Sequence, residues 1–305
     1  MRDAMMRSLI DLAKSDKNVM LLTGDLGFGV FEKFEENFSK QFINVGVAEQ
    51  NMVGIASGLA LEGKIVFTYS IGNFPTLRCL EQIRNDACYH ELNINIIAAG
   101  GGFSYGGLGM SHHATEDFSI MRALPDVTVV SPCTSWEAGQ AVKALAMSPG
   151  VGYIRIDKSK TEEPNELDLF KLGKARLLRE GNDFTIITAG GIAEEAIEAS
   201  ESLSLKGIEC RVISMNTIKP IDFKQIIAAC KETLGIITLE ENNLAGGLGS
   251  AVSEVCMDFG VYPKKFKRMG MKDMYSAIVG SQKYLRSYYN LDSKAVVDNI
   301  TKMLD

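Results

Sequence analysis

The chain has 305 residues, 46% of them apolar and 23% charged, and carries a formal net charge of −6. That length favours two domains over one, and the composition is that of a globular protein with a sizeable core. The negative charge, with no Lys/Arg-rich block, argues against a nucleic-acid partner. The absence of an apolar run of about 18 residues argues against a membrane span.

From the N-terminus, MRDAMMRSLIDLAKSDK (1–17) sets Asp3 and Asp11 among apolar residues, so it does not read as a signal peptide. VMLLTG (19–24) reads as a strand, and an irregular stretch leads to a second one, FINVGV (42–47). EQNMVGIASGLALEG (49–63) has helical periodicity and ends on Gly63, a suitable C-terminal cap. KIVFTYS (64–70) is strand-like, PTLRCLEQIRNDACYHE (75–91) is amphipathic and helical, and INIIAAGGG (94–102) is a strand that runs into glycines. A helix over 116–124, a strand over 126–132, a helix over 135–148 and a strand over 151–157 follow. This alternation predicts an α/β domain over 1–158, with a mainly parallel sheet flanked by helices. Residues 159–182 are polar, include Pro164 and read as a linker. A second alternating block occupies 183–305: strands at 184–191, 208–215 and 234–240, helices at 192–207 and 223–232, and helical sequence from Gly249.

Six cysteines are spread through apolar stretches, none in a CxxC pair, and only three histidines accompany them. They read as reduced core residues of a cytoplasmic protein, and no metal site is expected from them.

The most informative stretch is INVGVAEQNMVGIASGLALEGKIVFTYS (43–70), where Glu49 stands between a strand end and an apolar helix. A carboxylate there suits the positive helix N-terminus, and an ordinary first-turn acid would look the same. Gly54 and Gly58 give the helix a small face expected to pack closely, which would aim Glu49 at a fixed target.

VGVAEQNMVGIASGLALEG resembles the pyrimidine-domain signature of the transketolase family, which includes deoxyxylulose-phosphate synthases and the β subunits of 2-oxoacid dehydrogenases. The resemblance implies the thiamine diphosphate pyrimidine-binding fold. It makes Glu49 the acid that hydrogen-bonds the pyrimidine N1′ of thiamine diphosphate and favours the tautomer whose 4′-imine deprotonates the thiazolium. In TYSIGNFPTLRCLEQIRND (68–86), Phe74 is the better match to an aromatic that stacks on the pyrimidine, with Tyr69 second. SHHATED (111–117) resembles the family's Thr-His-Gln stretch. His112 then corresponds to the histidine that faces the reacting carbons, and His113 remains an alternative, imidazole being suited to proton transfer near neutral pH. Arg155 matches an arginine that often holds a substrate phosphate or carboxylate, and Arg2 a first-helix arginine of similar purpose. Asp25 in TGDLGFG (23–29) keeps a family aspartate on the substrate side.

The loop also departs from the family. Leu108 stands where sugar-handling members carry an aspartate, Gly100 to Gly102 where they often carry a further histidine, and glycine near Gly29 where a serine is frequent. ITAGGIAEEAIEASESLSLKGIECRVISMNTIKPID (187–222) and ITLEENNLAGGLGSAVSEV (237–255) look like the transketolase C-terminal domain, with Asn242 at a frequent histidine position.

The family binds the cofactor's diphosphate through Mg²⁺ with a Gly-Asp-Gly motif, and none occurs here; Thr23 to Gly27 comes nearest. The resemblance therefore implies a split enzyme. An N-terminal transketolase-like subunit would supply the diphosphate and Mg²⁺ ligands, and an α2β2 heterotetramer with self-association of this chain is expected. The implied reaction is transfer of a two-carbon ketol unit between sugar-type substrates. The alternative is a 2-oxoacid decarboxylase, carboligase or dehydrogenase E1 β-like component.

Overall fold

Mostly apolar strand sequences such as VMLLT and INIIAA are what a parallel sheet covered on both faces requires. The computed structural model, which describes residues 1–159, 161 and 169–304, places them at the centre of such a sheet. The first block contributes strands β1 (Val19–Thr23), β2 (Phe42–Asn44), β3 (Ile65–Ile71), β4 (Ile94–Ala99), β5 (Thr128–Val130) and β6 (Gly152–Ile156). The second contributes β7 (Arg176–Arg179), β8 (Phe184–Thr188), β9 (Cys210–Ser214), β10 (Thr217–Lys219), β11 (Gly235–Asn243) and β12 (Phe266–Met271). They form a seven-stranded sheet, in the order β10-β5-β6-β4-β3-β1-β2, and a five-stranded one, β12-β11-β8-β9-β7. Both are mainly parallel with helices on their faces, the α/β architecture expected from the alternation.

Helices α1 (Arg2–Ser15), α2 (Glu32–Asn37), α3 (Glu49–Leu61), α4 (Leu80–Gln82), α5 (Asp117–Ala123) and α6 (Ser135–Ala146) belong to the first block. Helices α7 (Ala193–Ser204), α8 (Phe223–Glu232), α9 (Leu248–Asp258), α10 (Gln282–Tyr288) and α11 (Ser293–Leu304) belong to the second. Helices α1 and α6 cover one face of the large sheet through Met5, Leu9, Ala138 and Val142. The opposite face receives α3 through Met52, Val53 and Ala56, and the same apolar cluster continues into Ile187, Ile213 and Val252. The two blocks therefore share core. No helix among the described residues is long and apolar enough to cross a membrane.

Several local expectations needed correction. Residues 176–179, expected as linker, form β7, which pairs antiparallel with β9. Pro164 and its neighbours 162–168 lie outside the described residues. Strand β10 crosses over to pair antiparallel with β5, so the second block completes the first sheet. The helix expected over 75–91 is a turn followed by α4 and a π-helical stretch over Ile83–Cys88. There the Thr76 hydroxyl donates to the Gly72 carbonyl (3.2 Å) and the Asn73 amide to the His113 carbonyl (2.6 Å). Such side-chain bonds compete with helical ones. Strand β12 interrupts the helical sequence after Gly249, as an edge strand bearing Lys267 and Arg268.

The helix over 135–146 begins as its sequence suggests. Thr134 and Glu137 form a reciprocal capping box. Glu137 also accepts from the Ser214 hydroxyl (3.1 Å), which ties the cap to the second sheet.

Candidate active site

Strand β2 ends at Asn44, and a short turn delivers Glu49 as the first residue of α3. Its carboxylate is buried, at 2% exposure, near the helix's positive end. Oε1 accepts from the Ser70 hydroxyl (3.2 Å), and Oε2 accepts from Arg78 Nη1 (2.7 Å). Gly24 lies close by, where an added Cβ would stand 3.3 Å from the Gly46 carbonyl oxygen and 3.6 Å from Glu49 Cγ. Asp25, one residue further, is exposed at the rim. Its backbone has φ 58°, and its carboxylate accepts from the Asn44 amide (3.2 Å).

Arg78 continues the constellation. Its guanidinium carbon sits 4.6 Å from the centroid of the Phe74 ring. The Phe74 ring in turn meets His112 edge-on at 5.2 Å. Glu49, Arg78, Phe74 and His112 thus form one contiguous set, drawn from the N-terminus of α3, the turn after β3 and the glycine-rich loop.

The adjacent histidines differ sharply. His113 is buried, and both its ring nitrogens are committed. Nε2 lies 3.1 Å from the Gly106 carbonyl, and Nδ1 contacts the Ser276 hydroxyl from the second block. A neutral ring that donates from Nε2 and accepts at Nδ1 satisfies both. The catalytic alternative left open for His113 is therefore corrected: its ring clasps the loop. His112 is half-buried; among the described residues its Nδ1 bonds the neighbouring Ser111 hydroxyl (3.0 Å) and its Nε2 bonds none.

Two further expectations are overturned by position. Ser70 reaches Glu49, so Tyr69, next along β3, points to the other face of the sheet. There it packs edge-on against Phe31 at 4.8 Å, and burial, helped by Tyr105, pushes its phenol up to about 12. Tyr69 cannot stack on a ring held by Glu49. Arg155 is 1% exposed. Its guanidinium donates to Asp117 (3.1 Å) and the Glu241 carbonyl (3.1 Å), lies 3.5 Å from Asp157 and covers the Phe118 ring. Burial opposes its charge, but Asp117 and Asp157 outweigh that and keep it cationic. Arg155 binds the two blocks together and presents nothing to a substrate. Arg2 lines a cavity of about 320 Å³ with Tyr69, Tyr105, Asp157 and Lys158; Glu49, Phe74 and His112 do not line it, though the Tyr105 ring meets His112 edge-on at 6.4 Å.

The same seam holds the histidine loop. Glu241 accepts from the Phe103 amide (2.8 Å) and pairs with Arg286. Burial alone would raise its carboxyl, but Arg286 and the amide hold it below the usual range.

Comparison with known proteins places this geometry. Residues 1–163 match the family model "Transketolase, pyrimidine binding domain", and residues 173–296 match "Transketolase, C-terminal domain". The chain belongs to the transketolase family. A "putative transketolase C-terminal section" of Methanocaldococcus jannaschii is 38% identical over 304 residues, 98% of this chain and 95% of that protein. One of the subunits of an apulose-4-phosphate transketolase of Phocaeicola vulgatus is 36% identical over 292 residues, 95% of this chain and 92% of that protein. A solved structure described as an inactive β4 tetramer of a split-gene transketolase superposes with a TM-score of 0.90 at 34% identity, covering 99% of this chain and 97% of that one.

Sequence reading assigned no chemistry to Arg78, at a position expected to face the partner or the site, and did not single out Ser70 or Ser276. Strand alternation from Tyr69 would have found Ser70. Arg78 stands in the same turn as Phe74, but its reach to Glu49 is a matter of tertiary folding.

Proposed function

We propose that this chain is the pyrimidine-binding subunit of a split transketolase, which moves a two-carbon ketol unit between sugar-type substrates. The observation that carries the reading is the Glu49 carboxyl, buried at a helix N-terminus and joined through Arg78 to the half-buried Phe74 ring, which in turn meets His112. One buried carboxyl and one accessible aromatic face are the donor set that an aminopyrimidine requires, so the residues fit the pyrimidine half of thiamine diphosphate. When bound, that cofactor supplies the carbon nucleophile and electron sink for the transferred unit. Glu49 holds the hydrogen bond at N1′, Phe74 offers its face to the ring, and His112 Nε2 moves a proton at a substrate oxygen.

Among the described residues, no group of three or more His, Cys, Asp or Glu side chains is gathered to hold a metal. The Mg²⁺ and diphosphate ligands are assigned to an N-terminal partner subunit in an α2β2 assembly, in a cytoplasmic setting suited to six free cysteines. The partner has a surface to cover. Gly54 and Gly58 were expected to form a closely packing face, and within this chain a Cβ on either would meet nothing within 4 Å. Val47 (77% exposed) and Leu61 (64% exposed) flank this bare face of α3, which starts at Glu49.

The loop rim gives weight to the second reading, a 2-oxoacid decarboxylase, carboligase or E1 β-like component. Leu108 and Met110 are both more than half exposed there, an apolar edge where sugar-handling relatives carry an acid. The subunit mixed with its partner and given either a ketose phosphate with an aldehyde acceptor or pyruvate separates the two. Ketol transfer in the first mixture supports the proposal; turnover of pyruvate alone replaces it with the second reading.

A further inference from the structure

Arg78 does more than neutralise Glu49. Its Nη1 donates to Glu49 Oε2 at 2.7 Å, and its guanidinium carbon lies 4.6 Å from the centre of the Phe74 ring. Those are the two surfaces that the site offers to a planar ligand. A guanidinium is flat, cationic, donates N–H bonds to a carboxylate and stacks on an aromatic face. An aminopyrimidine protonated at N1′ has the same four properties. We propose that Arg78 is a placeholder for the aminopyrimidine ring: in the unloaded site its guanidinium occupies the Glu49 carboxylate and the Phe74 face, and it swings out when the cofactor enters.

The proposal rests on the thiamine diphosphate reading and adds a competing occupant to it. The need for one is physical. Glu49 is 2% exposed, and the Ser70 hydroxyl gives it a single neutral hydrogen bond at 3.2 Å. A buried carboxylate with so little compensation is costly, and a cation removes that cost. The means of departure are also present. Arg78 is 44% exposed, so its long side chain has solvent on one side. It sits near the end of the turn over 72–79 and not inside a regular helix. A ligand that must displace it binds more weakly than one that enters an open site, by the fraction of time the site stands open.

The test is isothermal titration of thiamine diphosphate, at saturating Mg²⁺, into the assembled complex. Wild type is compared with Arg78→Met, Glu49→Gln and the double variant. Arg78→Met keeps the side chain's length and apolar stem but loses the charge, and it is expected to bind the cofactor about three- to tenfold tighter. In the Glu49→Gln background the same change has little effect, because the placeholder has lost its anchor. Unchanged or weaker binding by Arg78→Met, with wild type binding normally, overturns the placeholder alone. Failure of every variant and of wild type to bind removes the cofactor reading and the placeholder with it. Crystals of the loaded complex give a second readout: Arg78 is expected turned away from Glu49, and an intact pair beside bound cofactor contradicts the proposal.

Discussion

Glu49→Gln in the assembled complex is expected to cut turnover by about 10²- to 10⁴-fold, the range typical of a lost acid–base group. The chain should still fold and assemble. Glutamine keeps the shape, and its carbonyl oxygen can accept from Ser70 or Arg78, which are the two hydrogen bonds Glu49 makes. What it loses is the ionisable proton at the position facing Phe74. Steady-state rates, with circular dichroism and sedimentation to check folding and assembly, separate a chemical loss from a structural one. Unchanged turnover in a folded complex would mean that the carboxyl is a helix-end acid and that the chain serves as a scaffold.

Arg155→Met should act differently, on stability first. The substitution preserves much of the volume but strands Asp117 and Asp157, both buried, without their cation. Breaking a buried ion pair on one side costs about 3–5 kcal/mol. The loss reaches both halves of the molecule, since Arg155 Nη2 also donates to the Glu241 carbonyl across the seam. Denaturant unfolding measures it. Lysine at 155 should rescue only part, for it lacks the planar fork that serves several acceptors at once. A shift of under about 1 kcal/mol for Arg155→Met would show the network to be dispensable, because buried pairs strand a costly charge when cut.

The place of Glu49 at a helix N-terminus was legible in the sequence because its context is local. A strand end, a small-residue helix and an acid at the first turn all lie within a few residues of one another. Phe74 and His112 were singled out for the same reason, each set in a short recognisable segment, and the fold brings their rings into contact. Arg155 was not, because its fate depends on Asp117 and Glu241, which only the folded seam brings to it. Position within the strand was right, while the side chain's partners came from elsewhere in the chain. Tyr69 was a different kind of miss: period-two alternation already put it and Ser70 on opposite faces. The adjacent histidines could not be told apart from sequence, since Ser276, which engages one of them, lies in the other half of the protein. Central strands were read well because they are predominantly apolar. The edge strands β7, β10 and β12 are short or charged, and their pairing is set by distant partners.

On the proposed function, this chain holds one half of a cofactor site and another subunit holds the rest. Titration of thiamine diphosphate with Mg²⁺ into the purified chain, alone and then mixed with its N-terminal partner, tests it most directly. Tight, Mg²⁺-dependent binding is expected of the mixture and none of the chain alone. Tight, Mg²⁺-dependent binding by the lone chain would contradict it.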